Sequence, residues 1–215
     1  MAARAPARRA DAARALGELE KALGVGGGAL QFASASFSVA ENTGAATITV
    51  VRVGGATGAV SVDYATADSL TAFAGINYSN TTGTLTFQAG ETIQTFTVPI
   101  IDDSVTNATR TVNLVLTNAV GATLGSQSNS TLNILDNDSV FSFSVAAYPV
   151  GESAGTATIT VVRSGGLLGS STVDFATVSG GTATEGADYV GITNTLVFAA
   201  GVSSQTVQVT ILPDL

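Results

Sequence analysis

The chain has 215 residues, of which 45% are hydrophobic and only 11% are charged, and it contains no cysteine and no histidine. Without these side chains it cannot form a disulfide, use a thiol or imidazole in catalysis, or build a zinc site from them. Beyond the first 30 positions it carries three basic residues against thirteen acidic ones, which argues against nucleic acid as a partner and favours a cation.

The N-terminal segment predicts a helix followed by a linker. Residues 3–23 are rich in Ala, Leu, Arg and Glu, and leucines recur at spacings of three and four. The glycines at 24–28 end the pattern, so residues 1–30 are expected to form a helix and a flexible connection outside the main fold. The segment lacks the long apolar stretch of a signal peptide or a membrane span, so we expect no direct membrane insertion.

From Gln31 onward the hydrophobic pattern has a period of two, which is typical of strands. Seven short runs separated by Gly, Asn and Ser predict an antiparallel β-sandwich. The Ala89–Glu91 turn is expected to close a hairpin between the runs on either side of it. The runs lie at residues 37–39, 47–52, 60–64, 84–87, 95–98, 112–116 and 131–135.

The chain contains an internal repeat with a constant offset of 111 residues. The segment Ala46–Arg52 recurs letter for letter as Ala157–Arg163. We therefore expect one complete domain at 31–139 and an incomplete second domain at 140–215, which lacks its last two strands. The second domain should expose part of its core and a sheet edge. We therefore interpret the chain as a fragment, a truncated gene product or an acceptor of a strand from a partner.

Two strand ends run directly into acidic residues. Ile100-Ile101 is followed by Asp102 and Asp103, and Ile134-Leu135 is followed by Asp136 and Asp138. Carboxylates held together at strand ends repel one another strongly unless they point into water or share a cation.

The order and spacing of several short motifs resemble the Calx-β domain family. The resemblance covers residues 37–138 in full and 141–215 in part. It implies an immunoglobulin-like sandwich that in some members binds calcium at one end. The motifs are Glu-x-x-Gly-x-x-x-x-x-Val-x-Arg at 41–52, Gly-x-Asn-Tyr at 75–78, Gly-Thr-Leu-x-Phe-x-Ala-Gly-Glu at 83–91, Ile-Ile-Asp-Asp at 100–103 and Leu-Asp-Asn-Asp at 135–138.

The resemblance also implies a set of calcium ligands. In the second domain the ligand positions that remain are Glu152, Asp188 and Asp214, with Pro213 at another. Three positions of the first domain have lost their acid and now hold Asn77, Asn107 and Arg110, so we expect a weakened site for about one ion. The ligands carried over to the first domain are Glu41, Asp102, Asp103, Asp136 and Asp138.

These observations predict a non-catalytic calcium-binding repeat of a bacterial-type surface or adhesion protein, with calcium stiffening the end where domains join. Its expected partners are calcium and neighbouring Calx-β domains or other surface proteins. Its expected setting is extracellular, in a membrane-associated parent involved in adhesion and cell communication. The alternative is a metal-free structural spacer.

Paired carboxylates could also serve as the acid and base of a glycosidase, but the chain has no Trp and only four Tyr to line a sugar groove. Arg52 and Arg163 are interpreted as structural ion-pair or surface residues.

Overall fold

The chain is built almost entirely of short β-strands. The structure is a computed structural model that describes residues 11–12, 14–15, 17–19 and 26–214. The described residues from Asp11 to Leu19 are helical, as expected, and the rest of the predicted helix at 3–23 lies outside the described residues. No helix in the described part has both the length and the apolar character needed to cross a membrane.

Two units divide the chain. The first contains the residues up to Asp103 together with Thr109–Leu135, and the second contains Ser104–Ala108 and the residues from Asp136 onward. The strands of the first unit are β1 (Ala29–Phe32), β2 (Ser36–Ala40), β3 (Ala45–Val53), β4 (Val60–Ala67), β5 (Thr82–Phe87), β6 (Ile93–Pro99), β7 (Arg110–Val120), β8 (Thr123–Leu124) and β9 (Asn129–Leu135).

The first unit contains two sheets, in the strand orders β6-β3-β1-β8 and β2-β9-β7-β4-β5. Their strands alternate buried and exposed positions, as β3 does along most of its length, because one face of each sheet packs into a shared core. Tyr64 of β4 stacks on Phe96 of β6 with ring centroids 3.9 Å apart. The predicted sandwich is confirmed, with two parallel pairings, β1 with β8 and β2 with β9, among otherwise antiparallel neighbours.

The hairpin predicted at Ala89–Glu91 is wrong. Strand β5 pairs with β4 in one sheet, whereas β6 pairs with β3 in the other. The turn therefore carries the chain from one sheet to the other. Gly90 has φ of 89°, which suits such a tight reversal but does not specify which strands it joins.

The interpretation of Arg52 and Arg163 as ion-pair or surface residues is also wrong. Arg52 is only 3% exposed, and its guanidinium donates to the backbone carbonyl oxygens of Gly27 at 2.7 Å, Thr57 at 2.7 Å and Gly58 at 3.0 Å. These carbonyls belong to loops at the end of the sandwich where β3 finishes. Arg163 is buried in the same way and donates mainly to the carbonyls of its own surrounding loops. Each arginine therefore ties loops together by satisfying carbonyl groups.

The second unit repeats part of this design. Its strands are β10 (Ser139–Phe143), β11 (Thr156–Gly165), β12 (Ser171–Ala176), β13 (Thr193–Phe198) and β14 (Ser204–Thr210). They form a three-stranded sheet, β10-β11-β14, and a two-stranded sheet, β12-β13. These correspond to β1-β3-β6 and β4-β5 of the first unit. Within residues 139–214 the counterparts of β7 and β9 are absent, and the segment at the position of β2 is not a strand.

Candidate metal centre

Strand register brings several chain segments to one end of the first sandwich. Ala45 at the start of β3 pairs with Pro99 at the end of β6, so the residues before β3 lie beside those after β6. Ala40 at the end of β2 pairs in parallel with Leu135 at the end of β9, so the residues that follow both strands leave at the same edge. Acids placed just beyond these pairs must therefore come close together.

Two of the predicted ligands meet at this end. Glu41 and Asp103 each offer a carboxylate oxygen, and these oxygens lie within 4.8 Å of each other. Glu41 starts a short 3-10 turn at 41–43 and is 1% exposed, while Asp103 is half-buried. Two carboxylates held so close repel each other, and the burial of one of them raises the cost of keeping both negatively charged.

The resemblance implies three further ligands for the first domain, Asp102, Asp136 and Asp138. Asp102 is exposed to solvent. Asp136 is half-buried, and its Oδ1 accepts a hydrogen bond from the backbone N–H of Asp138 at 3.4 Å. Its Oδ2 is buried and has no hydrogen-bond partner among the described residues. Their roles as ligands remain predictions.

Arg110 brings a positive charge to the same acids. It begins β7, pairs with Ile134 of β9, and places its Nη2 3.9 Å from Oδ2 of Asp103. The side chains of Arg110 and Asp103 are 22% and 32% exposed, so water screens this ion pair only in part. The guanidinium competes with any ion for the Asp103 carboxylate.

Asn77 occupies a buried loop position beside the end of β6. It is 0% exposed, and its Oδ1 accepts a hydrogen bond from the backbone N–H of Phe73 at 3.0 Å. Asp188, at the equivalent place in the second copy, accepts the corresponding bond from Thr184. Because both copies use this oxygen to hold the loop, the position has a structural role whether or not it also contacts a metal.

The donor set fits calcium. Calcium takes six to eight oxygen ligands at about 2.3–2.6 Å, so two ligands of one ion lie within about 5 Å of each other. The separation between the carboxylate oxygens of Glu41 and Asp103 satisfies this limit. The buried Oδ2 of Asp136 is a further oxygen near the end of β9. All of these donors are hard oxygens, the type that calcium prefers over nitrogen or sulfur.

The acids of the second copy do not assemble in the same way. Glu152 and Asp214 are exposed, and no group of three acids forms among the described residues of that copy. Glu41 is buried beside the β2–β9 pair, and neither partner of that pair has a strand counterpart in the described part of the second copy. The predicted ligands of the second copy therefore stay predictions.

Tyr78, next to Asn77, has a perturbed pKa. Burial raises the pKa of Tyr78 to about 12, and the carboxylate of Asp68, which accepts its hydroxyl hydrogen bond at 2.8 Å, acts in the same direction. Since the unfolded phenol has a pKa of about 10, its contribution to stability is complete below about pH 10. This contribution is lost as the pH rises through about 12.

We expect a phenolate titration followed by ultraviolet absorbance to show one late tyrosine step. The variant Tyr78→Phe should lack that step. Between about pH 9 and pH 11 its free energy of unfolding, measured by urea denaturation, should also fall less than that of the parent chain. An unchanged late step in Tyr78→Phe would contradict the assignment.

Comparison with known proteins identifies the family. The family model described as Calx-beta domain matches residues 27–138 and again 136–215. The chain belongs to the Calx-β family. The two matched segments are consistent with the one full copy and one partial copy that the repeat predicts.

Named relatives share this Calx-β region. The sodium/calcium exchanger Calx of Drosophila melanogaster is 32% identical over 188 residues, covering 86% of the chain and 20% of the relative. Sodium/calcium exchanger 1 of Canis lupus familiaris is 30% identical over 204 residues, covering 85% and 21%. The chain therefore spans about a fifth of the length of these relatives.

A solved structure shows a similar pair of domains. It is the calcium binding domain CBD12 of CALX1.1, and it matches with a TM-score of 0.56 and 32% identity. The match covers 86% of this chain and 76% of that one. Both the family and the all-β tandem fold are thereby shown.

Proposed function

We propose that this chain is a non-catalytic calcium-binding module in which one ion binds at the end of the first Calx-β copy. The observation that carries the proposal is the burial of Glu41 at 1% exposure, with its carboxylate within 4.8 Å of that of Asp103. A bound divalent cation offsets the repulsion between these two carboxylates. The similarity to CBD12 of CALX1.1, which is itself named a calcium binding domain, supports this proposal.

In this proposal Glu41 and Asp103 hold the ion, and the Calx-β resemblance implies Asp136 and Asp138 as further ligands. Backbone carbonyls and water complete the shell, since these carboxylates cannot fill a shell of six to eight oxygens unaided. Asp102 is exposed and contributes negative charge near the site without a required contact. For the second copy we propose at most a weaker site at Glu152, Asp188 and Asp214.

The ligands also suggest what the ion does. Asp136 and Asp138 lie in the short segment that follows the last strand of the first copy and precedes β10. A cation that neutralises these acids would remove the repulsion between them and limit bending of the segment. We therefore propose a stiffening role in a surface or adhesion protein, with neighbouring Calx-β domains or other surface proteins as partners.

The expected calcium affinity of the site bears on where the protein is located. A site with three acids lost and an arginine beside it should bind weakly. Extracellular modules work at dissociation constants of about 10⁻⁴ to 10⁻³ M, whereas intracellular sensors need about 10⁻⁷ to 10⁻⁵ M. The weakened ligand set therefore supports an extracellular or cell-surface location.

Thermal melting in excess calcium and in chelator tests the proposal. Calcium should raise the melting temperature of the first copy, because an ion that binds only the folded state stabilises it by mass action. Glu41→Gln should abolish that increase. Glu152→Gln, at the equivalent position of the second copy, is the matched control and should retain it. A calcium-dependent increase that persists in Glu41→Gln would contradict the assignment of the site.

The Arg110–Asp103 ion pair favours a second candidate function, a metal-free spacer. The guanidinium already neutralises one carboxylate of the group. If the spacer interpretation is correct, melting and small-angle scattering will be identical in calcium and in chelator, and Arg110→Gln will destabilise the fold without creating any calcium response.

A further inference from the structure

The loop between β4 and β5 of the first copy exposes three large apolar side chains. Leu70 is 97% exposed, Ile76 is 61% exposed and Phe73 is 45% exposed. All three fall within seven residues, and residues 69–77 include no charged side chain. A single exposed leucine is ordinary, but three large apolar side chains in one short loop form a patch of the kind that marks a contact surface. We call residues 68–78 the apolar loop.

The backbone donors of the apolar loop are satisfied within the loop itself. Each residue from 71 to 77 donates its N–H to a carbonyl or side-chain oxygen of the loop at 2.7–3.2 Å. Among these acceptors are the side chains of Asp68 and Asn77. Irregular surface loops ordinarily leave such groups to water. Because these donors need no water, the loop can enter a surrounding of low polarity without leaving them unpaired.

Contacts with β7 hold the apolar loop in place. The side-chain Oγ1 of Thr71 accepts a hydrogen bond from the backbone N–H of Thr111 at 2.9 Å. The amide of Asn113 donates to the carbonyl oxygen of Asp68 at 3.0 Å. The apolar side chains are therefore presented by a fixed backbone, so little backbone entropy is lost when a partner covers them.

The second copy shows that the loop folds without these side chains. Its equivalent loop makes the same turn, in which two N–H groups donate to the carbonyl of Thr184 as two donate to that of Phe73 in the first copy. The three apolar positions instead hold Gly181, Thr184 and Ala187. Because the same turn forms without large apolar side chains, their presence in the first copy indicates a contact rather than a requirement of folding.

The size of the patch favours a membrane over a protein as the partner. Its three side chains present on the order of a few hundred Å², whereas each partner in a standard protein interface buries about 800 Å². Insertion into a membrane interface has no such minimum, because affinity grows with each apolar group that is buried.

Charge determines which kind of membrane fits. Asp68 is exposed at the start of the apolar loop. The carbonyl oxygen of Asn77 accepts a hydrogen bond from the N–H of Ile101, which brings the exposed Asp102 near the base of the loop. These carboxylates repel an anionic lipid surface. A zwitterionic surface, which carries no net charge, fits an uncharged loop with acids at its base.

We infer that the apolar loop docks the first copy on a zwitterionic phospholipid membrane. Leu70, Phe73 and Ile76 enter the boundary between headgroups and acyl chains, and the acids at the base of the loop stay in water. The docking is confined to the interface and involves no spanning segment. It departs from the expectation of no membrane insertion, which rested on the lack of a long apolar stretch. The inference does not depend on calcium and is tested in the presence of chelator.

A single tryptophan can report the insertion, because the chain has none of its own. The full chain carrying Phe73→Trp is titrated with phosphatidylcholine vesicles in chelator. Its fluorescence should shift to shorter wavelength, and lipids brominated on their acyl chains should quench it, because bromine quenches only a nearby indole. The partition constant should be about 10³ to 10⁴ M⁻¹, close to that of a single myristoyl chain.

Two variants make the result specific. Thr184→Trp, at the equivalent exposed position of the second copy, should show neither the shift nor the quenching. Adding Leu70→Ser and Ile76→Ser to the Phe73→Trp chain should weaken partitioning by about tenfold or more, since two of the three inserting side chains are lost. The second copy holds small residues at both positions, so the fold should be kept, and circular dichroism checks this.

Four results would overturn the proposal. The first is no binding to vesicles at millimolar lipid, and the second is equal quenching of the two tryptophans. The third is unchanged partitioning in the serine variant. The fourth is self-association of the parent chain without lipid that the serine substitutions abolish, because a second copy of the chain would then cover the patch. Sedimentation velocity detects that association.

Discussion

Replacing Arg52 by Met is expected to destabilise the first Calx-β copy by about 3 kcal/mol or more. The substitution keeps most of the apolar stem but removes the donors that satisfy the carbonyls of Gly27, Thr57 and Gly58. Each hydrogen bond from a charged donor contributes about 1.5–3 kcal/mol, and the cost of burying the charge offsets part of that sum. Urea denaturation followed by circular dichroism measures the loss.

Arg110→Met is the matched control for this measurement. It removes a guanidinium that is partly exposed and has one ion-pair partner at 3.9 Å. Such pairs contribute about 1 kcal/mol or less, so the control should stay close to the parent chain. If Arg52→Met and Arg110→Met lose the same stability, the buried carbonyl contacts of Arg52 do not hold the loops as described.

Replacing Arg110 by Glu is expected to tighten calcium binding about tenfold or more. The change removes a positive charge that competes for Asp103 and adds a carboxylate beside the same group of acids. A tenfold change corresponds to about 1.4 kcal/mol, well below the roughly 4 kcal/mol for two charges 4 Å apart at an effective dielectric constant of about 20. Solvent screening at this partly exposed position justifies the lower figure.

Arg110→Gln separates loss of the competing charge from gain of a ligand. It should tighten binding by a smaller factor than Arg110→Glu, and both variants should be compared at constant ionic strength. Calcium affinity that is unchanged in both variants would show that Arg110 does not oppose the ion. Weaker binding in both would show that the arginine holds Asp103 in place for it.

The sequence predicts the acidic cluster better than it predicts the connections between strands. The acids after β6 and β9 are expected together because each pair follows a strand end, whereas Glu41 is expected with them because the resemblance to the Calx-β family implies it. Strand register then places the residues before β3 beside those after β6. Asp102 and Asp103 are neighbouring aspartates that the sequence does not distinguish, yet only Asp103 places its carboxylate close to that of Glu41. Side chains alternate between the two faces only within a regular strand. In the irregular segment after a strand, the sequence does not determine which of two neighbouring side chains points inward.

Other features depend on contacts distant in sequence. The pairing of β5 with β4 rather than β6 is set by the packing of whole sheets, which the Gly90 turn does not encode. Arg52 lies in an alternating strand with no acid to mark its partner, because its partners are backbone carbonyls that any residue can supply.

The most direct test of the calcium site is isothermal titration of the full chain with calcium, performed on the parent, Glu41→Gln and Glu152→Gln. The account predicts about one ion per chain with a dissociation constant of about 10⁻⁴ to 10⁻³ M, lost in Glu41→Gln and retained in Glu152→Gln. Absence of binding in the parent, or binding that survives Glu41→Gln, would contradict it.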